Sequence, residues 1–262
     1  MKYKIITGLI LLSSITVFSQ KVTVVSPNHK INIGLYNTQS AEAGEWYLKV
    51  NYINDGKACE TIPKIILGLS RADQDFSKEL KFLRVSKPLL INEQYKVLHG
   101  KRSQCSNSAN ETVVSFENPG KARLNLIIRA YDDGVAFRYE FPEKEGSFVM
   151  NDELTAYSIP DSTKRWMEKF NTANEGLYTK MFDGMTQQDW SYPALFNTPD
   201  KHTWFLIHEA DLNRNYCGSK LSNNANKSQY KITFPDQWNG RGKEKRNQQL
   251  LCLLYTSDAA DE

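Results

Sequence analysis

What this chain is short of narrows its class before any motif is read. Long apolar runs are scarce: the one near the N-terminus, Ile5–Phe18, carries Ser13, Ser14 and Thr16 and falls short of the roughly 20 residues a helix needs to cross a bilayer. Net charge is small, +3 from 33 basic and 30 acidic side chains, too mild an excess to point to a nucleic-acid partner. Its one basic cluster, Arg241–Arg246, is interrupted by Glu244 and reads as a solvated loop. Cysteine is limited to four residues with no Cys-x-x-Cys spacing, which argues against a zinc ribbon or a thioredoxin-type redox motif. Internal repeats are absent, and the only biased stretch, the Asn-rich Ser222–Ser228, reads as a hairpin tip. Helical periodicity is nearly missing as well. A single segment, Thr163–Phe170, is predicted helical, with Asp161 or Ser162 as its cap.

What is present is strand sequence. Leu124, Leu126, Ile128 and Ala130 alternate with Asn125 and Arg129; then Val135, Phe137, Tyr139 and Phe141 alternate with Arg138 and Glu140. The two runs flank Asp132-Asp133-Gly134, where glycine is free to take the positive φ of a tight turn, so the segment is predicted to be a β-hairpin with one buried face. Arg129, Arg138 and Glu140 then lie on the outer face, as cross-strand ion pairs or as a contact surface for a sugar or another domain. Strands are also predicted at Trp46–Tyr52, before the turn Asn54-Asp55-Gly56, and at 64–69, 82–85, 112–116 and 203–207. Turn signals punctuate them at Asn92, His99-Gly100, Asn118-Pro119-Gly120, Glu145-Gly146 and Asp183-Gly184. Many short strands without intervening helices predict an all-β fold, a large antiparallel β-sandwich with at most short helices.

Both ends are expected to lie outside that fold. Residues 1–19 have the build of a secretory signal peptide: Lys2 and Lys4, an apolar run, then Val17-Phe18-Ser19 before a cut ahead of Gln20. Export follows as an expectation, with no membrane anchor after cleavage. Residues 252–262 match a reading frame of a transposon-end sequencing adapter and are expected to be a non-native tail, leaving 20–251 as one sandwich domain. Cys59, Cys105 and Cys217 then remain; an oxidising compartment makes a disulfide possible, and Cys59 with Cys105 is the first pair to test for one, with an odd cysteine left over.

The string Tyr131-Asp-Asp-Gly-Val-Ala-Phe-Arg-Tyr139 resembles the hallmark of the N-terminal domain of glycoside hydrolase family 97. Val25-Ser-Pro27, Ile66-Leu-Gly-Leu69, Asp152-Glu-Leu154, Asn174-Glu-Gly-Leu-Tyr178 and Phe205-Leu-Ile-His-Glu-Ala-Asp211 are similar to further landmarks of that domain, in the same order. The likeness runs over roughly residues 22–235. It implies a sandwich of the galactose-mutarotase type and an exported, in most members periplasmic, exo-acting enzyme that removes terminal α-linked glucose or galactose from oligosaccharides. In that family the catalytic acid and base come from a (β/α)₈ barrel that follows this domain. The barrel is not in the sequence, so no catalytic residue is nominated and the chain by itself is expected to be inactive.

Glycoside cleavage needs two carboxyl groups across one bond, and neither adjacent pair here suits it. Asp132 and Asp133 read as turn chemistry, Asp152 and Glu153 as solvated groups flanking a loop. One residue is singled out by the resemblance: Glu209, in His208-Glu209-Ala210, falls where the family's N-terminal domain lends a glutamate to an active-site Ca²⁺ otherwise held by the barrel. Calcium takes six to eight oxygen donors, so one carboxylate is not expected to hold it without the barrel. His208 is expected to face the other way as a framework residue, and Asp211 to cap the next turn. Trp166, Trp190 and Trp204 read as packing residues, with sugar stacking as the alternative. A second class of function stays open: a self-sufficient carbohydrate-binding or scaffold sandwich with no catalytic partner.

Overall fold

The computed structural model describes residues 19–38, 43–54, 56–98, 101, 103–143, 148–171, 176–181, 186–200, 202–210 and 218–234. Residues 1–18 of the expected signal segment, the tail 252–262, the basic cluster, Asp211, Cys217, Asn174-Glu175 and the turn signals at 99–100, 145–146 and 183–184 lie outside them.

Strands are numbered in chain order. The largest sheet has eight, in the order β1 (Ser19–Val25), β2 (Ile31–Asn37), β4 (Trp46–Asn54), β5 (Lys57–Ile66), β13 (Ala156–Ser158), β20 (Gln229–Thr233), β19 (Lys220–Ser222) and β16 (Asp189–Trp190). A second sheet runs β11 (Val135–Glu140), β10 (Arg123–Tyr131), β9 (Gln104–Glu117), β7 (Leu80–Val85), β3 (Ala43–Gly44), with β8 (Leu89–Lys96) paired to the first half of β9. A third runs β15 (Thr179–Met181), β14 (Lys164–Met167), β17 (Ala194–Asn197), β18 (Trp204–Ile207), and a small one joins β6 (Leu69–Arg71) to β12 (Met150–Glu153). These ladders are antiparallel, and among the described residues there is no helix. The architecture is the all-β, sandwich-like fold that the strand patterning predicts.

The core divides in two along the large sheet. Ile33, Leu35, Trp46, Leu48 and Ile65 of one half form a single cluster with Phe116, Leu124, Leu126 and Ile128 of the second sheet. Toward its other half, Trp190, Leu221 and Tyr230 cluster with Met167, Ala194, Phe196 and Ile207 of the third sheet. Tyr157 and Phe205 pack against both clusters, so a seam runs between two cores that share one sheet.

The predicted hairpin is β10–β11, in the register Leu126↔Tyr139 and Ile128↔Phe137. Its turn is made differently from the expectation. Among the described glycines, positive φ falls at Gly56 (74°) and Gly68 (146°), not at Gly134. The loop instead closes through Tyr131 N–H to Gly134 O at 2.8 Å, and Asp132 is hooked by Asn28, whose backbone N–H donates to Oδ1 at 2.8 Å. On the outer face Arg129 donates to Glu111 Oε2 (2.6 Å) and Glu93 Oε1 (2.9 Å), partners on β9 and β8.

Three local expectations are corrected. The segment 163–170 holds strand β14, because Arg165 and Met167 are buried while Lys164 and Trp166 face outward, a period of two, and β15 and β17 pair on either side. Asn92 sits inside β8 rather than in a turn; Ser108 opposite donates its hydroxyl to Asn92 Oδ1 at 2.7 Å. Cys59, on β5, and Cys105, on β9, are both free, and Cys59 Sγ meets Asp200 Oδ2 at 3.5 Å.

Candidate functional site

Glu209 lies two residues past β18, at the seam. Ladder pairing ends with Ile207 opposite Ala194, but the alternation of β18 carries on through the next residues. His208 faces the other way from Glu209, as expected, and that way is outward: it is exposed, its ring edge-on to Tyr192 at 6.2 Å. Glu209 is half-buried and reaches across to the large sheet. There Ser219, immediately before β19, gives its backbone N–H to Oε1 at 3.0 Å and to Oε2 at 3.3 Å, and its hydroxyl to Oε1 at 2.5 Å.

A second carboxylate shares the neighbourhood. Glu153 closes β12, which is held against β6 through Glu153↔Leu69 and through Leu154 N–H to Gly68 O at 2.8 Å. Burial, the largest influence, pushes its carboxyl up to about 7; Glu209 and Asp152 push the same way, while a hydrogen bond from Thr155 and the charge of Lys231 pull it down. Thr155 is itself anchored in the core: its hydroxyl is 2.9 Å from Tyr139 Oη, which accepts the Gly68 N–H at 3.0 Å. The hallmark hairpin therefore reaches the site through the Tyr139 phenol.

Tyrosines complete the surround. Burial raises the phenol of Tyr157, with Glu153 and Glu209 adding to it. That of Tyr192 is raised chiefly by burial as well, with Tyr157, Glu209 and Glu153 contributing and a Ser219 hydrogen bond opposing. Asp152, next to Glu153, points elsewhere and pairs with Lys231 at 2.5 Å. Lys220 is buried and bound to Asp189 Oδ2 at 2.6 Å, which pins β19 to β16.

Chemically this is a hard-oxygen pocket with two carboxylates whose mutual repulsion a cation would relieve. The donor type suits calcium, and among the described residues Glu209 Oε2 has only its longer contact from Ser219, which leaves it capacity for an ion. Among the described residues, no three Asp, Glu, His or Cys side chains converge closely enough to hold a metal ion. The residues present fit part of a calcium site whose other donors would come from elsewhere.

Several sequence expectations land away from this pocket. Trp190 is a core residue, 1% exposed, its indole N–H donating to Asn223 Oδ1 at 3.0 Å. Trp166 and Trp204 form a ring pair, 4.8 Å between centroids, on the outward face of the third sheet, where Trp204 is 55% exposed. Asp132 and Asp133 serve a turn, as expected. Glu153 does not behave as a solvated loop residue. No local signal marks it: Thr155 and Tyr157 follow it closely, but Tyr139, Tyr192 and Glu209 come from separate segments that only the fold brings to it.

The family described as Glycosyl-hydrolase 97 N-terminal matches residues 24–242. A protein of Streptomyces bingchenggensis (strain BCW-1), described as a probable retaining alpha-galactosidase, is 30% identical over 173 residues, 65% of this chain and 26% of that one. Among solved structures, a beta-arabinopyranosidase superposes with TM-score 0.74 at 26% identity, over 85% of this chain and 37% of its own. A glycoside hydrolase family 97 enzyme from Pseudoalteromonas sp. strain K8, in complex with acarbose, shares the fold with TM-score 0.69 at 24% identity, over 82% of this chain and 32% of its own. The chain thus spans between a quarter and two fifths of the length of these relatives. It belongs to the glycosyl-hydrolase 97 N-terminal domain family.

Proposed function

We propose that this chain is the N-terminal sandwich of an exported, calcium-dependent, exo-acting α-glycoside hydrolase, to which it lends Glu209 as one calcium ligand together with part of the active-site wall. The observation that carries this reading is the placement of Glu209: a strand-end carboxylate clamped by Ser219, beside a second carboxylate, with one oxygen weakly engaged. Family membership supports the glycosidase class. The substrate is an oligosaccharide ending in α-linked glucose or galactose, and the catalytic acid and base belong to the portion of the relatives that this chain does not span, a (β/α)₈ barrel in our reading. When bound, calcium supplies positive charge that stabilises negative charge developing on an oxygen during cleavage. The sandwich contributes a rigid platform, the Glu209 carboxylate held at one position, and tyrosine walls that keep water from that side. Processing in the periplasm fits the leader-like N-terminus.

The test is Glu209→Gln in the complete gene product, with calcium affinity measured by calorimetry and hydrolysis of p-nitrophenyl α-glucoside and α-galactoside measured alongside. Affinity is expected to fall at least tenfold, and activity with it; unchanged values for both would remove Glu209 from the site. Titration of the chain by itself is expected to give no micromolar calcium binding. A second reading, a stand-alone carbohydrate-binding sandwich, draws on the exposed Trp166–Trp204 pair. Genomic sequence downstream of codon 251 separates the two, since only the first requires a barrel-encoding frame there.

A further inference from the structure

We propose that Ser219 is the positioning residue for Glu209, holding the carboxylate so that Oε1 is saturated by protein donors and Oε2 is the oxygen presented to the cation. The inference rests on the reading of Glu209 as a calcium ligand and adds which residue makes it one.

An ionised carboxylate only accepts, so the Ser219 hydroxyl is the donor in its 2.5 Å contact with Oε1. With the backbone N–H at 3.0 Å, Oε1 receives two donors, whereas among the described residues Oε2 has a single contact, at 3.3 Å. Two donors from one residue fix both the position of the carboxylate and its plane. Glu209 needs that restraint, because its own strand has already ended at Ile207. Ser219 can supply it, because the following residues are anchored: Lys220 is buried against Asp189, and Leu221 is fully buried in the second core. This contact links the chain just past the third sheet's last strand to the large sheet at the point where a ligand is needed, and groups that orient a metal ligand in this way are commonly worth 10- to 100-fold in affinity.

The experiment is calorimetric Ca²⁺ titration of the complete, chelator-stripped gene product as wild type, S219A, S219T and E209Q, with thermal melts in the absence and presence of calcium. S219A is expected to bind calcium about 10- to 100-fold more weakly while melting like wild type without calcium, so that only the calcium-induced rise in melting temperature shrinks. S219T, which keeps the hydroxyl, is expected to stay within about threefold of wild type. Wild-type affinity in S219A, or a lower calcium-free melting temperature with affinity intact, overturns the positioning role. Should S219A not fold, the isosteric pair S219T and S219V carries the test, and equal affinities in that pair overturn it. E209Q keeps the two ideas apart: if E209Q binds calcium normally the ligand reading itself fails, whereas weak binding by E209Q with normal binding by S219A defeats only the present inference.

Discussion

A glutamate that the local sequence offers as an ordinary solvated residue turns out to have its carboxyl held well above the usual range at the seam. Glu153 is pushed up to about 7, first by burial and then by Glu209 and Asp152, against an ordinary glutamate value of 4.5. Between those two values the folded state keeps a proton that the unfolded chain has released, so stability falls as pH rises from about 4.5 and the full penalty is present above about 7. At roughly 1.4 kcal/mol per pH unit the penalty is about 3 kcal/mol. Glu153→Gln keeps an acceptor for Thr155 and removes the charge. It is therefore expected to stabilise the chain by an amount of that order at pH 8 and by almost nothing at pH 4, measured by urea denaturation at the two values. Equal stabilisation at both would mean that the gain comes from packing and that the carboxylate is not held protonated. The same repulsion is what a cation beside Glu209 would relieve, which ties the titration of one side chain to the chemistry proposed for its neighbour.

Strands were legible where one face is buried and the other wet, and illegible where both faces are used. In β10 the alternation of Leu124, Leu126, Ile128 and Ala130 with polar residues is the burial pattern itself. In β14 the buried positions include Arg165, whose guanidinium donates to the carbonyls of Thr163 (2.8 Å) and Pro160 (3.2 Å); a charged residue facing inward hides the period of two, and the segment reads as a helix. Asn92 misleads for the opposite reason, as a polar residue in a ribbon with no core beneath it. That ribbon is thinly supported: its strand residues are mostly exposed. Strand β10 reaches β9 only as far as Ala109, while β8 follows β9 down to Gln104, so residues 92–96 and 104–108 pair with each other and, among the described ladders, with nothing else. Two-stranded ribbons are marginal in water, and this one leaves Leu89, Leu90, Tyr95 and Leu98 exposed. Amide hydrogen exchange is expected to show the contrast within a single strand: Ser106 and Ser108 exchanging at least about a hundredfold faster than Val114 and Phe116, which lie under the first core. Uniform protection along β9 would show that something covers the ribbon in solution.

At the scale of the whole molecule, Glu209 and Glu153 stay in register only if the two cores behave as one body. Each is carried by a different layer, Glu209 by the third sheet and Glu153 by the strand pair beside Gly68, and the large sheet between them is common to both cores. The coupling runs through Tyr157 and Phe205, which pack against both clusters, and through Phe196, fully buried and stacked on Phe205 at 5.0 Å. The site was unreadable in sequence for this reason: the resemblance supplied Glu209, but the wall around it is a product of how two cores share a sheet. If the seam is cooperative, damage to either core must be felt in both. Leu126→Ala in the first core is expected to cost about 2–5 kcal/mol and Phe196→Ala in the second about 3–5 kcal/mol. In each variant, unfolding followed by tryptophan fluorescence and by far-ultraviolet circular dichroism is expected to give one coincident transition. Two separated transitions would mean that the cores melt independently, and a carboxylate pair spanning an independent seam would not be rigid enough to present a preformed oxygen to any cation.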